Sequence, residues 1–281
     1  MKSRCVSKCI WLAAGLISAG LFLPAVSNAQ ELGNNSLTQT DSIRAGKKIQ
    51  EAYLNQILGD PKEEAAYQAF HNTTEQPDKK IKLGDAFLAK YPGDRYSAAV
   101  YGELCHTYYD KKDLASFYTF SDKGLALFPD DVYLLALNGW VTPRAFTPDE
   151  PDADKKLDKA ESQARHALDV LSKMEKPTNF TDEQFAQFKT GESAVAHSGL
   201  GFIRFRREHY DESAKELQIA IAGEANPDQT DLFILGADFQ NMNRFKEAAD
   251  AFNRCAQIPG GMQDRCKQYA TNAMKQAAEA K

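Results

Sequence analysis

Apolar residues recur along this chain at helical spacing, in pairs of short runs separated by polar turns. Leu232, Leu235 and Phe239 share one helical face; Phe245, Ala248, Ala249 and Phe252 share the next, with Asn241–Arg244 between them as a turn. Gly236 and Ala248 are small where the two helices of such a hairpin must approach closely. Upstream, Leu200-Gly201 opens a helix, Glu208-His209 is a turn, and a second helix runs from Tyr210 through Leu217 and Ala220. Gly201 and Gly236 stand 35 residues apart, which suggests a repeat. Tyr101, Leu104, Cys105 and Tyr108 form another amphipathic face, followed by a helix from Leu114 to Leu127 that ends before Pro129. A further hairpin ends at Tyr91-Pro92, again with proline just beyond a helix, where a missing N–H does least harm.

One hairpin is interrupted. Leu134, Leu137 and Trp140 mark its first helix, and Leu157, Ala160, Ala164 and Ala167 its second, with an inserted loop over 143–155. A second insertion surrounds Lys176–Phe180. Thr181 then opens a new helix with Gln184 as its capping-box partner, and that helix is expected to run to Arg207 unless Gly191 or Gly199 breaks it.

These residues resemble the tetratricopeptide repeat, a 34-residue helix–turn–helix unit. Segment 229–262 matches best, through Leu232, Leu235-Gly236, Phe239, Phe245, Ala248, Phe252 and Pro259, with Cys255 in an alanine place. Segment 194–227 departs from the pattern at Arg204, and segment 98–131 at Phe117; segments 61–94 and 131–174 complete five repeats. The resemblance implies an all-α fold: a right-handed α-solenoid over 41–281 with a helical cap at 263–280 and another at Asp41–Leu58. It further implies that first helices line a concave groove for a peptide or partner protein. Helical phase then assigns His106, Tyr109, Asp110, Phe202, Phe205, Arg206, Phe233, Gln240 and Asn241 to that groove. Aromatic, basic and amide groups together suit an extended peptide with an acidic or C-terminal carboxylate group. The alternative, that Phe202, Phe205 and Phe233 pack against neighbouring helices, stands beside it.

The N-terminus changes the address. Lys2, Arg4 and Lys8 precede an apolar run over Ile10–Leu23, and Ser27 and Ala29 flank Asn28 in the manner of a signal-peptidase site. The run is short for a membrane anchor, which needs about 20 apolar residues. Segment 1–29 therefore reads as a signal peptide and 30–40 as a polar tether; Cys5 and Cys9 precede the apolar run, so no lipid attachment is expected. The expected location is the periplasm of a Gram-negative cell, with the extracellular space as the alternative. After cleavage no stable membrane insertion is expected. Export makes a disulfide between Cys255 and Cys266 the expectation, contributing on the order of 2–3 kcal/mol. Cys105 reads as a buried thiol.

Composition sets outer limits. The 281 residues are 43% hydrophobic and 26% charged, as in ordinary globular proteins, which excludes disorder. The net charge of −5 becomes −8 once the three signal-peptide cations leave, so no nucleic-acid partner is expected. The five histidines and five cysteines show no zinc-like spacing, and no phosphate-binding glycine loop or nucleophile motif occurs, so neither cofactor nor metal is expected. His197 reads as a packing residue. Arg204, Arg206, Arg207 and His209 form a basic patch, read either as a solvated helix end or as an anion clamp. Asn34, Asn72 and Asn179 head glycosylation-type triplets. The function expected is a non-enzymatic exported scaffold or adaptor, in envelope assembly or secretion. Two alternatives remain at this level: a helical-array enzyme using carboxylates of the Asp149–Asp154 loop on a glycan, and a self-associating structural protein.

Overall fold

A computed structural model describes residues 60–280 apart from 179 and 224–226. The signal segment 1–29, the tether 30–40, the helix expected at Asp41–Leu58 and the triplets at Asn34 and Asn179 lie outside the described residues. Among the described residues the protein is all-α, with eleven helices and no strand, and within each unit most helices pack against their neighbours in sequence. The described residues form two compact units, 60–114 and 115–280.

In the first unit, α1 (Pro61–His71), α2 (Pro77–Lys90) and α3 (Ser97–Asp110) surround Phe70, Phe87, Val100 and Leu104. Helices α1 and α2 begin with proline, whose missing N–H falls in a first turn that has no intrahelical partner to lose. Asp60 caps α1 by accepting from the Lys62 N–H at 2.8 Å. A Cβ on Gly84 would lie 2.8 Å from Leu104 Cδ2, so glycine sets the approach of α2 to α3. Glu103 ties the three helices together. It accepts from Lys80 Nζ at 2.6 Å and faces His71 Nδ1 at 2.7 Å.

The second unit contains α4 (Leu114–Leu127, all but its first residue), α5 (Val132–Arg144), α6 (Ala153–Lys173), α7 (Asp182–Arg206), α8 (Tyr210–Gly223), α9 (Gln229–Asn241), α10 (Phe245–Gln257) and α11 (Gln263–Glu279). Its largest apolar cluster joins Phe202, Leu217, Leu232, Leu235, Phe252 and Cys255, from α7 to α10, to Cys266, Ala270 and Ala273 of α11. Those last three are spaced four and three residues apart, so α11 buries one narrow stripe. Cys255 and Cys266 are joined as a disulfide, with Cα atoms 5.8 Å apart, fastening α11 to α10. Helix α7 runs unbroken through Gly191 and Gly199, and its start carries the capping box between Thr181 and Gln184.

The same turn occurs three times. After α3, α7 and α9 a single non-glycine residue enters the left-handed region: Lys112 at φ 63°, Glu208 at 61° and Asn243 at 59°. In each case the next N–H reaches five residues back, from Asp113 to the Tyr108 carbonyl, His209 to Arg204, and Arg244 to Phe239, at 2.8–2.9 Å. That bond satisfies a carbonyl the ending helix leaves unpaired, which offsets the cost of a left-handed side-chain-bearing residue. Glu208 and Asn243 are 35 residues apart, the interval that also separates Gly201 from Gly236.

Candidate partner-binding site

The residues assigned to a groove divide by exposure. In the first unit, His106 and Asp110 lie exposed one helical turn apart, with Nε2 3.6 Å from Oδ2, and Lys112 Nζ sits 4.9 Å from the centre of the Tyr109 ring. In the second unit, Phe202 (3% exposed) and Phe233 (7%) belong to the core. Phe233 packs against Phe252 and Tyr269, with ring centres 5.4 and 5.0 Å away. Phe205 is half-buried, edge-on to Tyr210 at 5.9 Å. Arg206 is exposed; its Nε donates to the Pro143 carbonyl at 3.1 Å, and its guanidinium lies 5.7 Å from the Phe146 ring centre. Gln240 donates to Gln276 of α11 at 3.0 Å, and Asn241 is exposed at the end of α9. The accessible part of the assigned surface in this unit is therefore Phe205, Arg206, Gln240 and Asn241.

That surface is held in register by a buried polar node. The Nη2 atom of Arg144, at the end of α5, donates to Asp231 Oδ1 of α9 at 2.6 Å and to Ser198 Oγ of α7 at 2.7 Å. Ser198 in turn donates to Asp231 Oδ1 at 2.8 Å. The guanidinium is sandwiched between the rings of Trp140 (4.0 Å) and Phe202 (3.8 Å), so its faces are covered while its edge makes charged hydrogen bonds. Burial pushes the Asp231 carboxyl up to about 6 and Arg144 pulls against that, so the pair is charged at neutral pH. Helices α5, α7 and α9 thus meet at one guanidinium.

A second buried acid lies two turns further along α9. Asp238 is fully buried; its Oδ2 is 2.7 Å from Ser213 Oγ, while Oδ1 has no hydrogen-bond partner. The Ser213 hydroxyl also lies 2.9 Å from the Gly201 carbonyl, and it has one proton to give. The consistent arrangement has Ser213 donating to Gly201 and a protonated Asp238 donating to Ser213. Burial accordingly raises the Asp238 carboxyl to about 8. Glu192, buried on α7 beside the charge of Asp131, is raised to about 7.

These shifts fix a sign. An acid whose folded value exceeds its unfolded value of about 4 contributes its full stability below pH 4 and loses it as pH rises through the folded value. Stability is expected to fall between pH 5 and pH 8. Asp238→Asn removes the largest contribution, so the variant should gain on the wild type as pH rises, by about 3 kcal/mol at pH 8 relative to pH 5. Urea midpoints at the two pH values measure this; parallel changes in both proteins would show that Asp238 does not carry the proton.

The basic patch divides: Arg204 and Arg207 are held by carboxylates, while Arg206 and His209 are exposed. Arg204 donates to Glu161 of α6 at 2.6 Å and pairs with Glu212 of α8 at 3.0 Å; Arg207 pairs with Glu161 and Asp158. These guanidinium groups, with Arg165, hold the Glu161 carboxyl below its usual range against the opposing effect of burial. His197 combines packing with a 2.6 Å contact from Nδ1 to Glu216 of α8. In the 149–154 loop, Glu150 is engaged by Lys156 and Asp152 by Lys155. Among the described residues no cluster of three or more His, Cys, Asp or Glu side chains is placed to hold a metal ion, and no helix is long and apolar enough to cross a membrane.

Arg144, Ser198, Ser213, Asp231 and Asp238 were not singled out by sequence reasoning. The signal was there in α9, where Asp231 and Asp238 stand seven residues apart beside the apolar stripe of Leu232, Leu235 and Phe239. Acids two turns apart at the edge of such a stripe need buried partners.

No protein-family model matches the chain, and a search of curated proteins finds no match. Its class is defined by its own architecture, an all-α protein of successively packed helices.

Proposed function

We propose that this chain is an exported, non-enzymatic scaffold or adaptor: a right-handed solenoid of tetratricopeptide-like hairpins whose first helices present a binding surface to a peptide or partner protein. The observation that carries this reading is the recurrence of one backbone turn after α3, α7 and α9, with a left-handed residue at the same place and the same five-back hydrogen bond. A hairpin repeated with its turn chemistry intact is the unit from which helical arrays are built, and such arrays commonly bind through extended concave surfaces. The binding surface in the second unit is Phe205, Arg206, Gln240 and Asn241, and in the first His106, Tyr109 and Asp110. Among the described residues Arg206 spends only its Nε, on Pro143, which leaves guanidinium donors for a carboxylate-bearing partner. Export is supported by the Cys255–Cys266 bond, because disulfides persist in oxidising compartments, and by the signal-like segment 1–29.

The test is a displayed-peptide selection against the chain lacking residues 1–29, repeated with Phe205→Ala/Arg206→Glu. Both substitutions fall on accessible side chains, so the fold should survive, as circular dichroism can confirm. Acidic or carboxylate-ending peptides should be enriched by the wild type and bound at least about tenfold more weakly by the variant, a cost of about 1.4 kcal/mol. Equal binding by both proteins would remove this surface from the reading, and enrichment of no peptide would remove the adaptor function itself.

A further inference from the structure

The second insertion has a structural consequence that a repeat array does not require. It leaves α7 with three extra turns at its start, and these run between the C-terminal ends of α6 and α8. The three helices line an open cleft of about 360 Å³. Leu168 and Leu171 of α6, Ala194 of α7 and Ile219 of α8 supply apolar walls. Ile219 is half exposed, among the few large apolar side chains so placed among the described residues. Gly223 closes one side: a Cβ there would sit 3.2 Å from Ala194 Cβ, so glycine lets the end of α8 close on α7. At the rim are the hydroxyls of Thr190 and Ser193 and one cation, Lys189; the Ser172 hydroxyl, also there, donates to the Asp169 carbonyl at 2.7 Å.

Lys189 differs from most lysines around it. Lys173 at the same end of α6, Lys176 before α7 and Lys215 of α8 each have a carboxylate within salt-bridge distance, whereas Lys189 has none among the described residues; its Nζ lies 5.3 Å from the centre of the Phe185 ring. An ammonium without a counter-charge at the mouth of an apolar cleft is complementary to an anion carrying an apolar tail. The walls decide which kind. A peptide entering the cleft would bring backbone amides against Leu168, Leu171, Ala194 and Ile219, whose side chains offer no hydrogen bond; an alkyl chain needs none.

We propose that the α6–α7–α8 cleft binds a carboxylate on an unbranched alkyl chain, a medium-chain fatty acid, with the carboxylate at Lys189 and the Thr190 and Ser193 hydroxyls and the chain against Leu168, Leu171 and Ile219. This site is separate from the peptide surface proposed above and stands or falls independently of it. Titration calorimetry of the full chain with octanoate, 1-octanol and an N-acetylated dipeptide ending in leucine tests it. Octanoate should bind with a dissociation constant on the order of 1 mM or tighter, and 1-octanol and the dipeptide about tenfold more weakly. Lys189→Gln, on a partly exposed residue, should bring octanoate down to the level of 1-octanol; Ser193→Phe should fill the cleft and abolish both. Equal binding of octanoate and 1-octanol, a preference for the dipeptide, no binding of octanoate, or unchanged octanoate binding by folded Ser193→Phe would each overturn the proposal.

Discussion

Arg144→Met is expected to lower the stability of the folded chain by about 3–5 kcal/mol at pH 7.5, among the largest effects of any single substitution in this protein. Methionine retains an unbranched apolar stem between Trp140 and Phe202, so most of the packing survives and the loss is electrostatic. What is left behind is Asp231, 1% exposed, whose carboxylate retains the Ser198 hydroxyl and no cation of the node. The remaining carboxylate escapes its penalty by taking up a proton. Its folded value, already about 6, therefore rises further in the variant, and the deficit shrinks as pH falls from 7.5 to 5. Adding Asp231→Asn to Arg144→Met should recover much of the loss, since an amide buried beside Ser198 carries no charge. Urea unfolding followed by circular dichroism measures all three proteins. A deficit below about 1 kcal/mol for Arg144→Met would show that the guanidinium contributes only as an exposed ion pair does.

Gly199→Ala is expected to cost about 3 kcal/mol, while Gly191→Ala, eight residues earlier on the same helix, should stabilise by about 0.5–1 kcal/mol. Both replace a helical glycine with the best helix former, and the local gain is the same. The surroundings reverse the sign. A Cβ at Gly199 would lie 2.5 Å from the Gly139 carbonyl oxygen and 3.0 Å from the Trp140 nitrogen, backbone atoms of α5 that have no rotamer to move away. Gly139 is confined in turn, its own Cβ position being 2.7 Å from Ala164 Cβ of α6. Forcing α5 and α7 apart also strains the Arg144–Ser198–Asp231 node, which bridges the same helices. At Gly191 a Cβ would meet nothing within 4 Å. Thermal midpoints of the two variants decide the matter: equal shifts would mean that α5 and α7 do not approach through glycine.

The expectations that the described residues match most directly are short-range ones. The turn at Glu208-His209, the capping box of Thr181 and Gln184 and the Cys255–Cys266 pairing depend on residues within a few turns of each other, where helical period, caps and glycine or proline punctuation carry the information. Helical phase also told which way a side chain leaves its helix. What lies opposite was decided by the tertiary structure. Phe202 and Phe205 are both aromatics of α7 three residues apart, yet the former is buried against Arg144 and the latter lies half exposed beside Tyr210. Arg204 and Arg207 looked like an open basic patch until α6 placed Glu161, more than forty residues earlier, beneath them. Arg144 and Asp231 are 87 residues apart. A buried charge is stable only where a distant partner arrives to satisfy it, and which partner arrives depends on how closely glycines allow the helices between to stack.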